Sequence, residues 1–462
     1  MYLGLKDSGM TLSEIVSITH GEPHNFPDAE TYVYSIVTDT RGDVDSSLFV
    51  ALRGENFDGH DFIAPSYEKG AVCALTEKKI KTDKPFIVVK NTLVSYGEIA
   101  AAYRRKFKTL AIAVTGSVGK TTTKEAVCAV LGSKYKVCKT EKNHNNEIGL
   151  PETLLKLNAS HQIAVLEMGM AALGEISALS RMASPDISII TNIGTSHIGF
   201  LGSRENILRA KLEITDGMKS DGILLLNGDD DMLRTVKKPH TYAFFVGIDN
   251  TRSDFLATNV RQKKNGMRFD MTYRGETLRD LFIPALGKHN VYAALFAAAC
   301  GMICGLLESE IKTGLSSYVP VEGRQNITEK DGVKIIDDCY NASPESMRAS
   351  IDILKYINIS ENRRAVAVLG EMKELGDLAP ALHKSVGEYA RDKVDRLFIF
   401  GDGENVEMMK KGYESGGKSA VMLGGDLDIA LDILKKNIKS GDAVLIKASR
   451  AVKLERLSEK LK

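Results

Sequence analysis

Leu110-Ala-Ile-Ala-Val-Thr-Gly-Ser-Val-Gly-Lys-Thr-Thr-Thr-Lys-Glu125 is the stretch from which the fold of this chain can be read. Leu110–Thr115 is an unbroken apolar run of the kind that fills a strand buried on both faces. Residues 116–119 supply a glycine turn, and Lys120–Leu131, closed by Gly132, carries a helical pattern. Strand, turn and helix in that order aim backbone N–H groups and a helix N-terminus at an anion, and Lys120 adds a point charge. Only two residues separate Gly116 from Gly119, so the loop is shorter than the strict G-x-x-x-x-G-K-[ST] motif. Gly116, Ser117, Val118, Gly119, Lys120, Thr121 and Thr122 are therefore expected to bind a nucleotide, with the Thr121 hydroxyl available to Mg²⁺.

Outward from this loop, further buried strands are expected at residues 162–167, 186–192 and 222–227, with helices between them. The same rhythm restarts at residues 333–338, 364–370, 396–401 and 443–447. This alternation predicts α/β architecture with doubly wound, mostly parallel sheets, one in a central nucleotide-binding block and one in a Rossmann-like C-terminal block. The earlier residues, with Ser47-Leu-Phe-Val-Ala-Leu-Arg53 among turn-rich pieces, form a smaller α/β unit. The expected domains are 1–107, 108–322 and 323–462. In such sheets ligands lie beyond the carboxyl ends of the strands, where the candidate residues are expected to fall.

The chain has 462 residues, of which 61 are basic and 60 acidic, and it is 43% hydrophobic. Two or three domains are expected from that length, each with its own core. Balanced charge argues against nucleic acid as the main partner. The first eight residues show no secretion signal, and the longest apolar stretch, 293–307, is too short to cross a bilayer and reads as a buried helix. Six scattered cysteines without a C-x-x-C pair suggest neither a disulfide framework nor a zinc site. A cytoplasmic protein is expected.

Glu167 ends a strand beside the loop, where a hard oxygen ligand suits Mg²⁺. His197 lies in a loop after a strand and can reach the same crevice. Ser203 reads as the N-cap of a helix with Glu205 in its first turn. On that helix Lys211 shares a stripe with Ile207, Leu208 and Ile214 rather than the wet face. Burial there lowers the lysine pKa and leaves an amine able to bind a metal-held group or to take up CO₂ as a carbamate. A lysine whose stem packs while its head reaches water is the simpler alternative.

The short loop, strand-end Glu167, Ser196-His197 and Ala210-Lys211 together resemble the Mur ligase family of ATP-dependent amino-acid and peptide ligases. Further motifs look like the members that add D-alanyl-D-alanine: Asn143-His-Asn-Asn-Glu-Ile-Gly-Leu-Pro-Glu-Thr-Leu-Leu155, Glu322-Gly-Arg324, Asp338-Cys-Tyr-Asn-Ala-Ser-Pro-Glu-Ser346, Val368-Leu-Gly-Glu-Met-Lys-Glu-Leu-Gly376 and Lys447-Ala-Ser-Arg450. Thr38-Asp-Thr-Arg41 and residues 48–60 extend the resemblance over nearly the whole chain. Ala293, Ser343 and Ala448 depart from the family pattern, which has two asparagines and a glycine there.

The resemblance implies an N-terminal domain for the UDP part of the substrate, a central ATPase domain and a C-terminal domain that closes over the site. It implies ATP binding by residues 116–122, Asn290, Arg324 and Asp338, and substrate contacts from Thr40, Arg41, Asn143, Asn145, Asn146, Tyr340 and Asn341. Lys120, Glu167, His197 and Lys211 become the catalytic residues. Thr121 and Glu167 would hold one Mg²⁺, and Glu167, His197 and carbamylated Lys211 a second. The implied reaction joins D-alanyl-D-alanine to UDP-N-acetylmuramoyl-tripeptide through an acyl phosphate, by a monomer without membrane insertion, in peptidoglycan precursor and cell-wall synthesis. Another ligase of this fold, a folylpolyglutamate synthetase, or a nucleotide switch that makes no product are the alternatives.

Overall fold

The computed structural model describes residues 9–26, 30–54, 57–237 and 242–461. The residues read for a leader, 1–8, and Glu55 and Asn56 of the 48–60 motif lie outside the described residues.

Besides the two-stranded pair of Met10–Thr11 with Tyr32–Val33, three larger sheets succeed one another along the described chain. The first places Ser35–Val37, Ser47–Val50, Cys73–Thr76 and Phe86–Val88 side by side and parallel, with Glu22–His24 antiparallel at one edge. Its helix Thr92–Arg105 leaves this sheet and packs against Gly149–Leu154 and Glu175–Ala183 of the next unit. The Tyr103 hydroxyl and the Arg104 guanidinium donate to the carbonyls of Leu157 and Ala183 at 3.0 and 2.8 Å, fastening the two units together.

The central sheet has nine strands in the order Glu276–Ile283, Gly266–Tyr273, Phe255–Lys263, Tyr242–Gly247, Ile223–Asn227, Ile187–Ile190, Leu110–Thr115, Ile163–Glu167, Val137–Lys139. Leu110–Thr115 sits between Ile187–Ile190 and Ile163–Glu167, all parallel. The chain switches sides of this strand after Glu167, and that reversal opens a crevice at the carboxyl ends. Helices Lys120–Leu131 and Lys288–Ile303 pack together over one face. The second is buried along most of its length, as its apolar sequence requires.

Three long strands, Phe255–Lys263, Gly266–Tyr273 and Glu276–Ile283, form antiparallel hairpins at one edge that were not expected from the sequence. The second turn is Arg274-Gly275, both at positive φ, which matches the right-handed twist of the flanking strands. The third sheet runs Asn326–Lys330, Val333–Asp337, Asp442–Lys447, Arg364–Gly370, Arg396–Phe400, Val421–Gly424, parallel except for the first strand. The strands read from the sequence in both doubly wound blocks form within one or two residues of their expected ends. Among the described residues no helix is long and apolar enough to cross a membrane.

Candidate active site

The glycine turn is held by the next strand's exit loop. Gly116 has φ +146°, and a Cβ there would lie 1.9 Å from the Thr191 hydroxyl, so only glycine fits. Thr191 and Asn192 donate to the Val118 carbonyl at 2.6 and 2.8 Å, while the Asn192 side-chain carbonyl accepts from Val118 N–H at 3.0 Å. Gly119, at φ +85°, caps the helix and leaves its N-terminus open. Lys120 folds back so that Nζ donates to the Gly116 carbonyl at 2.8 Å. Loss of hydration lowers its pKa, a tendency opposed by the carboxylate of Glu167.

Ser117, Val118, Gly119, Lys120, Thr121 and Thr122 line a cavity of about 1220 Å³ walled by the central and third units, the first unit supplying Leu93 alone. Glu167 is 2% exposed on its floor. Its Oε2 accepts from the Thr121 hydroxyl at 2.9 Å and its Oε1 from Asn145 at 2.9 Å. Arg324, from the start of the third unit, donates to the same Thr121 hydroxyl at 3.0 Å. Strand end, helix start and third unit therefore meet at one hydroxyl–carboxylate pair.

Ser203 caps Arg204–Leu212 as read, its hydroxyl accepting from Asn206 N–H at 3.2 Å. Lys211 lies on the buried face of this helix with Ile207 and, one turn on, Ile214, and is 1% exposed. It does not snorkel. Burial, reinforced by the charge of Lys120, drives its pKa well below the ordinary lysine value. Lys211 is not among the residues that line the cavity. The expectation that the candidates all lie beyond strand ends thus fails for Lys211, whereas Asn290, in the first turn of Lys288–Ile303, and Arg324, just before Asn326–Lys330, line the crevice with the strand ends. Helices run back along the faces of the sheet, so their N-termini and flanking loops reach the crevice as the strand ends do.

His197 lines the cavity at φ +65°. Its Nδ1 is 2.7 Å from Oε2 of Glu374, a hydrogen-bonding distance although the approach is oblique to the ring N–H direction. The imidazole at this distance is the main reason that the Glu374 pKa lies below the usual carboxylate value. Glu345 accepts from the backbone N–H and hydroxyl of Thr195 at 2.9 and 3.0 Å. Neither glutamate was given a role from the sequence, although both lie in quoted motifs. Each depends on a contact across more than a hundred residues, which local pattern does not carry.

The far wall holds Asn290, Asp338, Tyr340 and Asn341. Asn290 donates to Gln325 at 3.1 Å and to the Leu286 carbonyl at 2.7 Å. Gln325 and His289, 2.6 Å apart, complete a polar corner unassigned from the sequence. Asp338 accepts from Lys447 at 2.6 Å and Ser350 at 2.5 Å. The Tyr340 ring has Arg324 4.2 Å and Arg450 4.9 Å from its centroid. The departing residues are accommodated, with Ser343 capping Pro344–Glu361 and Ala448 fully buried beside Gly370.

Of the expected substrate residues, Asn145, Asn146, Tyr340 and Asn341 line the cavity. Asn143 is exposed and outside it. Thr40 and Arg41 follow Ser35–Val37 in the first unit, also outside it, with the Arg41 guanidinium paired to Asp39. The structure brings the loop, Glu167, His197 and the third-unit residues together, and leaves these three residues apart from them.

Three family descriptions cover successive parts of the chain: "Mur ligase family, catalytic domain" residues 32–113, "Mur ligase middle domain" 114–301, and "Mur ligase, glutamate ligase domain" 323–450. The UDP-N-acetylmuramoyl-tripeptide–D-alanyl-D-alanine ligase of Bacillus subtilis (strain 168) is 40% identical over 458 residues, 98% of each chain. The chain belongs to the Mur ligase family. The Escherichia coli (strain K12) ligase of the same name is 35% identical, with 85% of this chain and 86% of that one covered. Among solved Mur ligases, a crystal structure of MurF from Acinetobacter baumannii superposes with a TM-score of 0.89 at 30% identity, covering 98% of this chain and 99% of that one. MurF ligase from Thermotoga maritima in complex with ADP gives 0.82 at 30% identity, covering 92% and 96%. The three-domain α/β fold of this chain is the Mur ligase fold.

Proposed function

We propose that this Mur ligase uses ATP to join D-alanyl-D-alanine to UDP-N-acetylmuramoyl-tripeptide in peptidoglycan precursor synthesis. The observation that carries the reading is the meeting of Lys120, the Thr121–Glu167 pair and third-domain Arg324 in one cavity between the central and third domains. A nucleotide held by one domain and closed over by another needs that shape. The Bacillus subtilis relative, similar end to end, bears the name of this activity, as does the Escherichia coli one.

The loop backbone, the open helix N-terminus and Lys120 bind the ATP phosphates, Lys120 swinging off the Gly116 carbonyl to do so. The tripeptide carboxylate attacks the γ-phosphorus and ADP leaves, giving an acyl phosphate. The neutral amine of D-alanyl-D-alanine then adds to the acyl carbon, and the tetrahedral intermediate expels phosphate as the nitrogen loses its proton. Alignment and charge neutralisation dominate such chemistry, so no protein nucleophile is needed. Arg324, held against Tyr340, brings positive charge from the third domain to the phosphate side, and Asn290 and Asp338 face the nucleoside.

A hydroxyl 2.9 Å from a buried carboxylate is a donor set that fits Mg²⁺, so Thr121 and Glu167 would hold one ion once their mutual bond gives way. Among the described residues no three His, Cys, Asp or Glu side chains gather as a metal site. A second ion at Glu167 and His197 would therefore draw on the oxygens that a carbamate on Lys211 supplies, formed by its neutral amine and CO₂ with loss of one proton. Bound Mg²⁺ would neutralise charge on the transferred phosphoryl group.

The same reading takes the protein as a monomer in the cytoplasm that does not insert into membranes. The test is phosphate release with UDP-N-acetylmuramoyl-tripeptides carrying lysine or diaminopimelate and a panel of amino acids and dipeptides. Release that needs both the nucleotide sugar and D-alanyl-D-alanine supports the reading. Release with ATP alone, or with another acceptor in preference, overturns it.

A further inference from the structure

Two residues that are not glycine face each other across the boundary between the central and third domains in the left-handed backbone region, His197 at φ +65° and Glu374 at φ +66°. Such backbone is costly for a side chain with a Cβ and persists where surrounding contacts fix it. Here the contacts are mutual. Gly199 N–H donates to the Glu374 carbonyl at 3.0 Å, and the Glu374 carboxylate reaches Nδ1 of His197 at 2.7 Å. Gly199 and Gly376 allow this approach, since a Cβ on Gly199 would lie 2.7 Å from the Gly376 nitrogen. At the other end of the same loop, Glu345 grips Thr195 through two bonds without touching the ring.

We propose that Glu374 is a positioning residue: the third domain, on docking, inserts this carboxylate against Nδ1 of His197 and fixes the ring with Nε2 as the nitrogen available to the nucleotide cavity. The inference rests on the ligase reading and deepens it, because it makes the imbalance between open and closed forms chemical as well as spatial. An imidazole bonded through one nitrogen to a carboxylate has a set tautomer and a set orientation, and its other nitrogen becomes the better electron-pair donor. With the third domain undocked, His197 has neither constraint. The loop therefore presents a competent imidazole only when Arg324, Tyr340 and Glu345 are also in place, which ties ATP chemistry to closure.

The test reads the ring directly, on nucleotide-free and metal-free protein, by imidazole ¹⁵N resonances assigned with His197→Gln. In the wild type His197 is expected as the Nδ1-protonated tautomer. Glu374→Ala is expected to lose that bias and to lower kcat by about 10- to 100-fold with the KM for ATP little changed, as loss of a carboxylate behind a functional histidine does. Glu374→Gln keeps an acceptor oxygen at the same reach and should recover part of both effects. It also serves if the alanine variant melts early. Glu345→Gln, which loosens the same loop, should leave the tautomer as in the wild type.

An unchanged His197 tautomer in Glu374→Ala overturns the proposal, as does an equal shift in Glu345→Gln, or a wild-type kcat in both Glu374 variants. The ¹⁵N readout needs no substrate. If the wild type fails to ligate D-alanyl-D-alanine while the tautomer responds as expected, the function reading has failed and the contact has not.

Discussion

Replacing Lys211 with methionine should stabilise the protein and abolish its turnover. The side chain is 1% exposed, and its pKa is lowered by burial and then by Lys120. Between its folded and unfolded pKa values the unfolded state binds more protons, so stability rises with pH across that window, and the unmodified lysine is a liability below it. With an unfolded value near 10.4, the penalty at pH 7.5 is at most ~4 kcal/mol, and at pH 9.5 about 1 kcal/mol. Methionine has nearly the same length and no charge, and a volume-conserving exchange costs below about 1.5 kcal/mol. The net gain near neutrality is then up to about 2–3 kcal/mol, or several degrees in Tm at roughly 2–4 °C per kcal/mol for a domain of this size. The assay is thermal unfolding in Mg²⁺-free, bicarbonate-depleted buffer at pH 7.5 and 9.5, with phosphate release measured in parallel. A Tm that falls at pH 7.5, a gain that grows with pH, or near-normal turnover would refute the reasoning. Added bicarbonate should not restore the variant, because methionine cannot form a carbamate.

Gly116→Ala should raise the KM for ATP and cost about 1–3 kcal/mol of stability, since its methyl would meet the Thr191 hydroxyl and break the bond that pins Val118. Glu167→Gln keeps the bond from Asn145 but loses the anion, and kcat is expected to fall about 100-fold or more, with apparent Mg²⁺ affinity reduced in a metal titration of phosphate release. Arg324→Lys cannot both reach the Thr121 hydroxyl and stack on Tyr340, so kcat should drop about 10-fold or more and nucleotide binding by calorimetry should weaken.

Much of this site is written locally in the sequence. The Leu110–Thr115 run, the glycine turn and the helix to Leu131 form one continuous signal, and the structure places that strand at the middle of the crevice. Lys211 was legible because helical spacing alone sets it among Ile207 and Ile214. The edge hairpins were missed although Lys264-Asn265, just ahead of Gly266, and Arg274-Gly275 are ordinary turn signals between alternating strands. The contacts of Glu345 and Glu374 are another matter. Nothing near either residue announces a partner in the central domain, because docking geometry between domains is set by whole surfaces. The same holds for Gln325 and His289, which become neighbours only when the third domain turns back over Lys288–Ile303.

The central claim is that this cavity activates a carboxylate by phosphorylation before an amine attacks. The most direct measurement labels the terminal carboxylate of the UDP-N-acetylmuramoyl-tripeptide with ¹⁸O and follows the label during turnover with ATP and D-alanyl-D-alanine. An acyl phosphate transfers one carboxylate oxygen to phosphorus, so each inorganic phosphate released should carry one ¹⁸O by mass spectrometry. Phosphate that takes its new oxygen from water alone would contradict the account.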